Sequence, residues 1–294
     1  MVRPILVFQT DFTYKEGAVC AMYGVVKTVD RSLEIIDGSH ELPQFDIWSA
    51  SYRLYQSMEF WPKGTIFVSV VDPGVGTGRR PCAAKTSDGY FIITPDNGTL
   101  THVLKWHGID EVRRIDESVN RLKRTEGVSV FHGRDLFGYC AAKLASGIIS
   151  FGQTGPEYPV EEIVTMPIAE AVSEKNAVSG IFEINDPNFG NLWTNIPLKM
   201  FTDAGFAYGE RIDVTICRDG STVYQKHVLF GNTFGAAEKG DDIIYNNELM
   251  RIAMAVSQGN FCEKYGLGYG SGWTVRFEKV TPSPTAVLWQ QQLP

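Results

Sequence analysis

The stretch TIFVSVVDPGVGTGRR, residues 65–80, decides the fold. Its first half is a continuous run of apolar and β-branched residues, the pattern of a strand buried on both faces. The run stops at Asp72. Gly74, Gly76 and Gly78 follow, and glycine lets a backbone take positive φ and approach other groups closely. Three further runs, at residues 5–9, 33–36 and 90–94, are strand-like and also lead into aspartates, at Asp11, Asp37 and Asp96. Between the second and third runs, residues 46–61 place Ile47, Ala50, Leu54, Tyr55 and Met58 at helical spacing. Residues 134–145 do the same with Leu136, Phe137, Cys140, Ala141 and Leu144. Alternating β and α predicts an α/β N-terminal domain, a mostly parallel sheet with helices on both faces.

From about Ala177 the pattern changes. Short strand-like pieces at 178–184, 211–217, 222–229 and 274–279 are separated by Gly and Asn turns. They predict a smaller all-β, barrel-like C-terminal domain. The expected domains are residues 1–165 and 176–294, with a Pro- and Glu-rich linker at about 155–175. A tail from Pro282, with the Gln290–Gln292 run, is expected to be poorly ordered.

The 294 residues fit about two domains, and 44% hydrophobic with 21% charged residues excludes a disordered, collagen-like or coiled-coil chain. A net charge of −7 argues against a nucleic-acid partner. No apolar run reaches the roughly 18 residues of a membrane helix, and the first residues read as a strand rather than a signal peptide. Five widely spaced cysteines without a CxxC pair fit neither a disulfide framework nor a zinc site. Reduced, mostly buried thiols in a cytoplasmic protein are expected.

Open α/β sheets bind ligands at the carboxyl ends of their strands, so the four aspartates form a candidate polar rim. Turn and helix-cap duty is the competing reading for each. The loop after Asp72 is neither a P-loop nor a dinucleotide fingerprint. Arg79 and Arg80 bring cations close to Asp72, either as a polar reaction centre or as an ordinary turn. His132 precedes the second helix, where the positive end of the helix dipole favours the neutral ring; it is either catalytic or structural. The remaining histidines lack metal-ligand spacing. In the second half, Asp186-Pro-Asn-Phe-Gly-Asn191 with Trp193 combines turn residues with two aromatics, Phe189 and Trp193. These either hold a base or a sulfonium, through attraction of about 0.5–2 kcal/mol, or pack the β core.

Five motifs in order carry a resemblance. They are Thr10-Asp-Phe12, Val71-Asp-Pro-Gly-Val-Gly76 with Arg79, Pro95-Asp-Asn-Gly98, Phe131-His-Gly-Arg-Asp135, and Asp186 to Asn191 with Trp193-Thr-Asn-Ile196. Together, from residue 4 to about 278, the chain resembles the S-adenosylmethionine (SAM) hydroxide adenosyltransferases, relatives of the fluorinating and chlorinating SAM enzymes. The resemblance implies hydrolysis of SAM to adenosine and methionine, with SAM as substrate and no cofactor or metal. It also implies a homotrimer with active sites between subunits. It assigns Asp72, Arg79 and His132 as the catalytic set. It assigns Asp11 to the ribose hydroxyls, Asp186 to the methionine ammonium, and Asn191 and Gln258 to the adenine. Phe45, Phe131, Gly133, Phe189, Trp193 and Glu248 are implied to border the substrate.

The chain departs from the family pattern at Thr13, where a glycine is usual, and at Asn247-Glu-Leu-Met250, where Asn-Ser-Ser-Gly is usual. Glu248 there would repel a carboxylate if it faced the site, and Leu249 alters the same stretch. The rival readings are a halide-using relative and a non-catalytic SAM or adenosine binder. The short segment at 84–90 and His132-Gly133 favour water over fluoride.

Overall fold

The computed structural model describes residues 3–280; the tail from Pro282 lies outside them. The chain divides into two compact units between Met166 and Pro167.

In the first unit, strands β1 (Leu6–Thr10), β2 (Ile35–Ser39), β3 (Ile66–Val70) and β5 (Phe91–Pro95) pair in parallel, in the order β2-β1-β3-β5. Strands β4 (Pro81–Thr86), β6 (Ile109–Arg114) and β7 (Glu157–Tyr158) extend the same sheet antiparallel. Alternation along β1 explains the two faces. Leu6 and Phe8 pack in one cluster with Met22 and Val26 of helix α1 (Ala18–Val29) and with Leu136, Phe137, Cys140 and Ala141 of the later helical stretch. Val7 packs in another cluster with Leu54 and Met58 of α2 (Ile47–Met58) and Val103 of α3 (Thr101–Trp106). Helices therefore cover both faces, as the alternation predicted. Asp46 caps α2 by accepting from the Ser49 amide at 2.9 Å. β1 lies between β2 and β3, so the chain leaves it by α1 in one direction and returns past it by α2 in the other. The β1/β3 boundary is a topological switch point, where such sheets open a crevice at the carboxyl ends of their strands.

The second unit is a closed barrel. Strands β9 (Ala177–Asn185), β10 (Leu192–Pro197), β11 (Arg211–Arg218), β12 (Ser221–Phe230), β13 (Asp242–Asn246), β14 (Arg251–Val256) and β15 (Trp273–Lys279) form a seven-membered ring that the β9–β10 pairing completes. Closure removes the exposed strand edges. The short β8 (Val172–Glu174) adds to β9 from outside. β12 and β13 pair in parallel, a departure from an all-antiparallel meander. Phe201, on the short helix at 198–203, fills the interior. It stacks on Phe206 at 4.3 Å and meets Phe230 and Phe277 edge-on.

The expectation of mostly buried thiols is corrected: Cys82 and Cys140 are buried, Cys217 and Cys262 are partly exposed, and Cys20 on α1 is exposed. Cys20 falls on the solvent side of an amphipathic helix, which a residue-type argument alone misses. Among the described residues no helix is long and apolar enough to cross a membrane.

Phe201→Ala removes a fully buried ring that three others enclose, so it should cost about 3–5 kcal/mol of barrel stability. Urea unfolding followed by tryptophan fluorescence measures this, and a loss below about 1 kcal/mol would contradict the packing described.

Candidate active site

Strand β3 is buried along its whole length, and it delivers Asp72 two residues past its end. Arg79 returns to the same point through the glycine loop. Its Nε donates to Asp72 Oδ1 at 2.9 Å and to Oδ2 at 3.1 Å, and its Nη2 also donates to Oδ2. The Asp72 and Arg79 side chains are only 5% and 10% exposed, so this fork is nearly dry. Gly76 makes the return possible. Its φ is +75°, and a Cβ there would stand 2.9 Å from the Ser129 carbonyl oxygen. Arg80 turns the other way, onto Asp96, which also accepts from Tyr158 and the Val164 amide.

The second Arg79 contact is His132, whose Nδ1 lies 2.9 Å from Nη2. His132 is buried and opens a π-helical turn, Gly133–Gly138, that passes into the helix Tyr139–Ala145. Such turns often mark functional positions. Gly133 is required because a Cβ would press on Phe12 and Val70 at 3.3 Å. The His132 pKa is lowered, first by burial and then by the Arg79 charge. This is a more direct cause than the helix dipole invoked from sequence.

Asp11 follows β1. Its Oδ2 accepts from the Phe45 amide at 2.9 Å and so holds the 43–46 turn, in which Phe45 takes φ +63°. Asp11, Phe45, Asp72, Phe131, His132 and Gly133 line one cavity of about 200 Å³ at the switch point. Arg79 stands behind it, bonded to Asp72 and His132. Two of the four rim aspartates, Asp11 and Asp72, thus reach the crevice. The other two are structural: Asp96 anchors Arg80, and Asp37 accepts from Tyr14 and Tyr23.

In the second unit, Asp186, Phe189, Asn191, Trp193, Glu248 and Gln258 all line a single cavity of about 1080 Å³. The 186–191 turn joins β9 to β10. Gly190 donates to the Asp186 carbonyl at 2.7 Å, and Asp186 donates from its amide to the Asn191 carbonyl at 2.8 Å. Trp193 donates from Nε1 to the Tyr245 hydroxyl at 3.2 Å, and burial holds the Tyr245 pKa well above its ordinary value. Glu248 sits in the 247–250 hairpin turn. Asn247 Oδ1 accepts there from the Leu249 and Arg251 amides, and Met250 takes φ +54°. Asp186, Glu248 and Glu263 are the charged groups lining this cavity among the described residues; no lysine or arginine joins them.

Sequence reasoning missed Arg121, Tyr245 and Phe234. Tyr245 and Phe234 line the barrel cavity, with their rings 4.7 Å apart. Arg121 approaches His132 Nε2 at 3.3 Å. Its one sequence signal is an i, i+4 pairing with Glu117, a spacing too common to single out.

The chain thus combines a doubly wound sheet that carries charged groups at its switch point with a barrel that holds an acidic, aromatic cavity, each a concave polar site of the kind enzymes use. The SAM hydroxide adenosyltransferase N-terminal domain matches residues 6–155, and the C-terminal domain of that family matches residues 182–274. The chain belongs to the SAM hydroxide adenosyltransferase family. It is 31% identical to an (R)-S-adenosyl-L-methionine hydrolase of Thermus thermophilus, over 92% of this chain and 98% of that protein. It is 25% identical to a fluorinase of Actinopolyspora mzabensis, over 91% of this chain and 95% of that protein. A crystal structure of an uncharacterized conserved protein from Thermotoga maritima superimposes with a TM-score of 0.83 at 29% identity, over 94% of this chain and all of that one.

Gly190→Ala would put a Cβ 1.7 Å from Asn260 Oδ1 at a φ of +66°. It should therefore cost more than the roughly 1–2 kcal/mol of a left-handed alanine alone. Chemical denaturation measures the loss; a neutral outcome would mean that the 186–191 turn is not fixed as described.

Proposed function

We propose that this enzyme hydrolyses S-adenosyl-L-methionine to adenosine and L-methionine by attack of a water-derived hydroxide on C5′ of the ribose. An O–C5′ bond forms as the C5′–S bond breaks. The electron pair stays on sulfur, which becomes a neutral thioether. One proton is released to the medium per turnover. The sulfonium is already a good leaving group, so no acid is needed to expel it. The scarce component is hydroxide, and the site must favour it.

The Asp72–Arg79–His132 chain of bonds carries this reading. Asp72 and His132 border the cavity, and Arg79 ties them together and contributes positive charge behind them. A fixed cation and an imidazole in a dry site stabilise an oxyanion far more than water does. Holding the oxygen in line behind C5′ would contribute at most about 7–11 kcal/mol. In this proposal Asp11 receives the ribose hydroxyls, beside Phe45, Phe131 and Gly133. Asp186 and Glu248 attract the cationic sulfonium–ammonium portion. Asn191 and Gln258 meet the adenine, with Phe189 and Trp193 against its faces. A cytoplasmic homotrimer without a resident cofactor belongs to the same proposal, the N-terminal half-site of one subunit being completed by the C-terminal half-site of a neighbour.

Pure protein with SAM in chloride-free buffer should give adenosine, methionine and acid in equal amounts, read by chromatography and a pH-stat. A 5′-halo-adenosine formed only with halide would move the reading to a halide-using enzyme, and no turnover would leave a binder. Arg79→Ala and His132→Ala should each lower kcat by about 10²–10³ while SAM still binds; near-normal turnover in both would remove the catalytic set. For the assembly, His132→Ala and Asp186→Ala subunits, each inactive alone, should recover about a quarter of wild-type activity when co-assembled at equal ratio, because heterologous contacts pair intact halves from different subunits. No recovery would place each site within one chain.

A further inference from the structure

His132 has a guanidinium on each ring nitrogen. Arg79 Nη2 lies 2.9 Å from Nδ1, and Arg121 Nη1 lies 3.3 Å from Nε2. Guanidinium groups only donate, and a neutral imidazole has one lone pair in the ring plane. One of the two contacts can therefore be a hydrogen bond; the shorter, to Arg79, is the better candidate. An imidazolium has no lone pair at all. It would meet two cations through two N–H groups, with no acceptor on either side.

Arg121 is itself held firmly. It leaves the end of the one-turn helix Glu117–Asn120 in extended backbone. Its Nη1 donates to Glu117 Oε2 at 2.6 Å, and its Nη2 donates to the Val128 carbonyl. The side chain is 19% exposed and its partner Glu117 38%. The charged groups that face His132 are Arg79, Glu117, Arg121 and Asp72. Arg134, two residues along, is engaged by Asp135 instead. Phe137, from the helix that His132 opens, meets the ring edge-on and adds no charge.

We propose that Arg121 is a positioning residue that, with Arg79, clamps His132 in its neutral form, and that Glu117 sets the strength of this clamp. The clamp matters for the proposed reaction because a second proton on His132 would break the bond from Arg79 to Nδ1. It would also set a new cation beside the incoming sulfonium. The lowered His132 pKa agrees with this geometry: burial comes first among its causes, then Arg79, with Glu117 opposing and Arg121 reinforcing. The sign follows directly. A ring whose folded pKa lies below the ordinary value of about 6.5 stays neutral down to that lower pH, and activity is lost only as pH falls through it.

The test compares variants on the two sides of the clamp. Arg121→Gln removes a like charge at close range, so the His132 midpoint and the acid limb of kcat/KM should move up by about one pH unit. Glu117→Gln removes an opposing charge, so both should move down. Arg121→Lys keeps the cation and should leave the limb near its wild-type position. The inference rests on the proposed hydrolysis only for the kinetic readout. Long-range ¹H–¹⁵N spectra, with His132 assigned by comparison with His132→Ala, titrate the ring in the free protein whatever the reaction is. A purely structural role for Arg121, holding the Val128 carbonyl, would lower kcat without moving the titration. If Arg121→Gln fails to fold, the wild-type and Glu117→Gln titrations still decide. The proposal is overturned if His132 is an imidazolium at neutral pH in the wild type. It is also overturned if Glu117→Gln raises the midpoint or leaves it unchanged, or if a folded Arg121→Gln does not raise it.

Discussion

The forked ion pair between Asp72 and Arg79 is the interaction on which the N-terminal site depends. Taking two charges out of water costs several kcal/mol per ion, and their attraction repays this only when the remaining donors and acceptors are satisfied. Here three N–H···O contacts fix the carboxylate, and Nη2, which makes one of them, also reaches His132. Such a pair is weak evidence for stability and better evidence for position. It pins the end of β3, closes the glycine loop over seven residues, and brings a cation and an imidazole to one wall of a small cavity. Replacing Arg79 by lysine would keep the charge but lose the fork that bonds the carboxylate and the ring at once.

Its neighbours in sequence show the same chemistry put to a different use. Arg80 donates through Nε to Asp96 at 2.9 Å, yet this pair serves the fold, tying the end of β5 to Tyr158 and the Val164 amide. Asn97 adds to this by donating to the Val71 carbonyl at 2.9 Å, which steadies the strand end from which Asp72 projects. The Pro95-Asp-Asn-Gly98 motif is therefore a support for the site rather than part of its lining.

These distinctions mark the limit of what the sequence makes legible. The parallel strands and the two amphipathic helices follow from periodicity, because each buries a regular face. Helix α1 and strands β10, β13 and β14 escaped notice. β10 and β14 owe their burial to barrel closure, a long-range pairing with no local signature, and the mean pattern of α1 is diluted by exposed Cys20 and Gly24 on its solvent side. The rim of aspartates was visible as a set, but which of them face the crevice depends on strand order. Asp11 and Asp72 follow the adjacent β1 and β3; Asp37 and Asp96 belong to the strands flanking that pair. Arg121 was invisible, since only the fold brings a residue eleven positions upstream against the far nitrogen of His132.

The barrel cavity supplies a complementary electrostatic step. Its lining carries Asp186, Glu248 and Glu263 with no basic side chain among the described residues, so it favours cations. SAM carries a sulfonium and an ammonium against one carboxylate, a net positive charge. Adenosine is neutral and methionine is a zwitterion without net charge. In the proposed hydrolysis, the bond that breaks therefore removes the very charge the cavity attracts. Focused negative potential raises the local concentration of a cationic ligand and does little for a neutral one. Under the same proposal a Glu at position 248, awkward for a carboxylate considered alone, would act on the whole ligand, drawing substrate in and weakening the hold on both products once the sulfonium is gone.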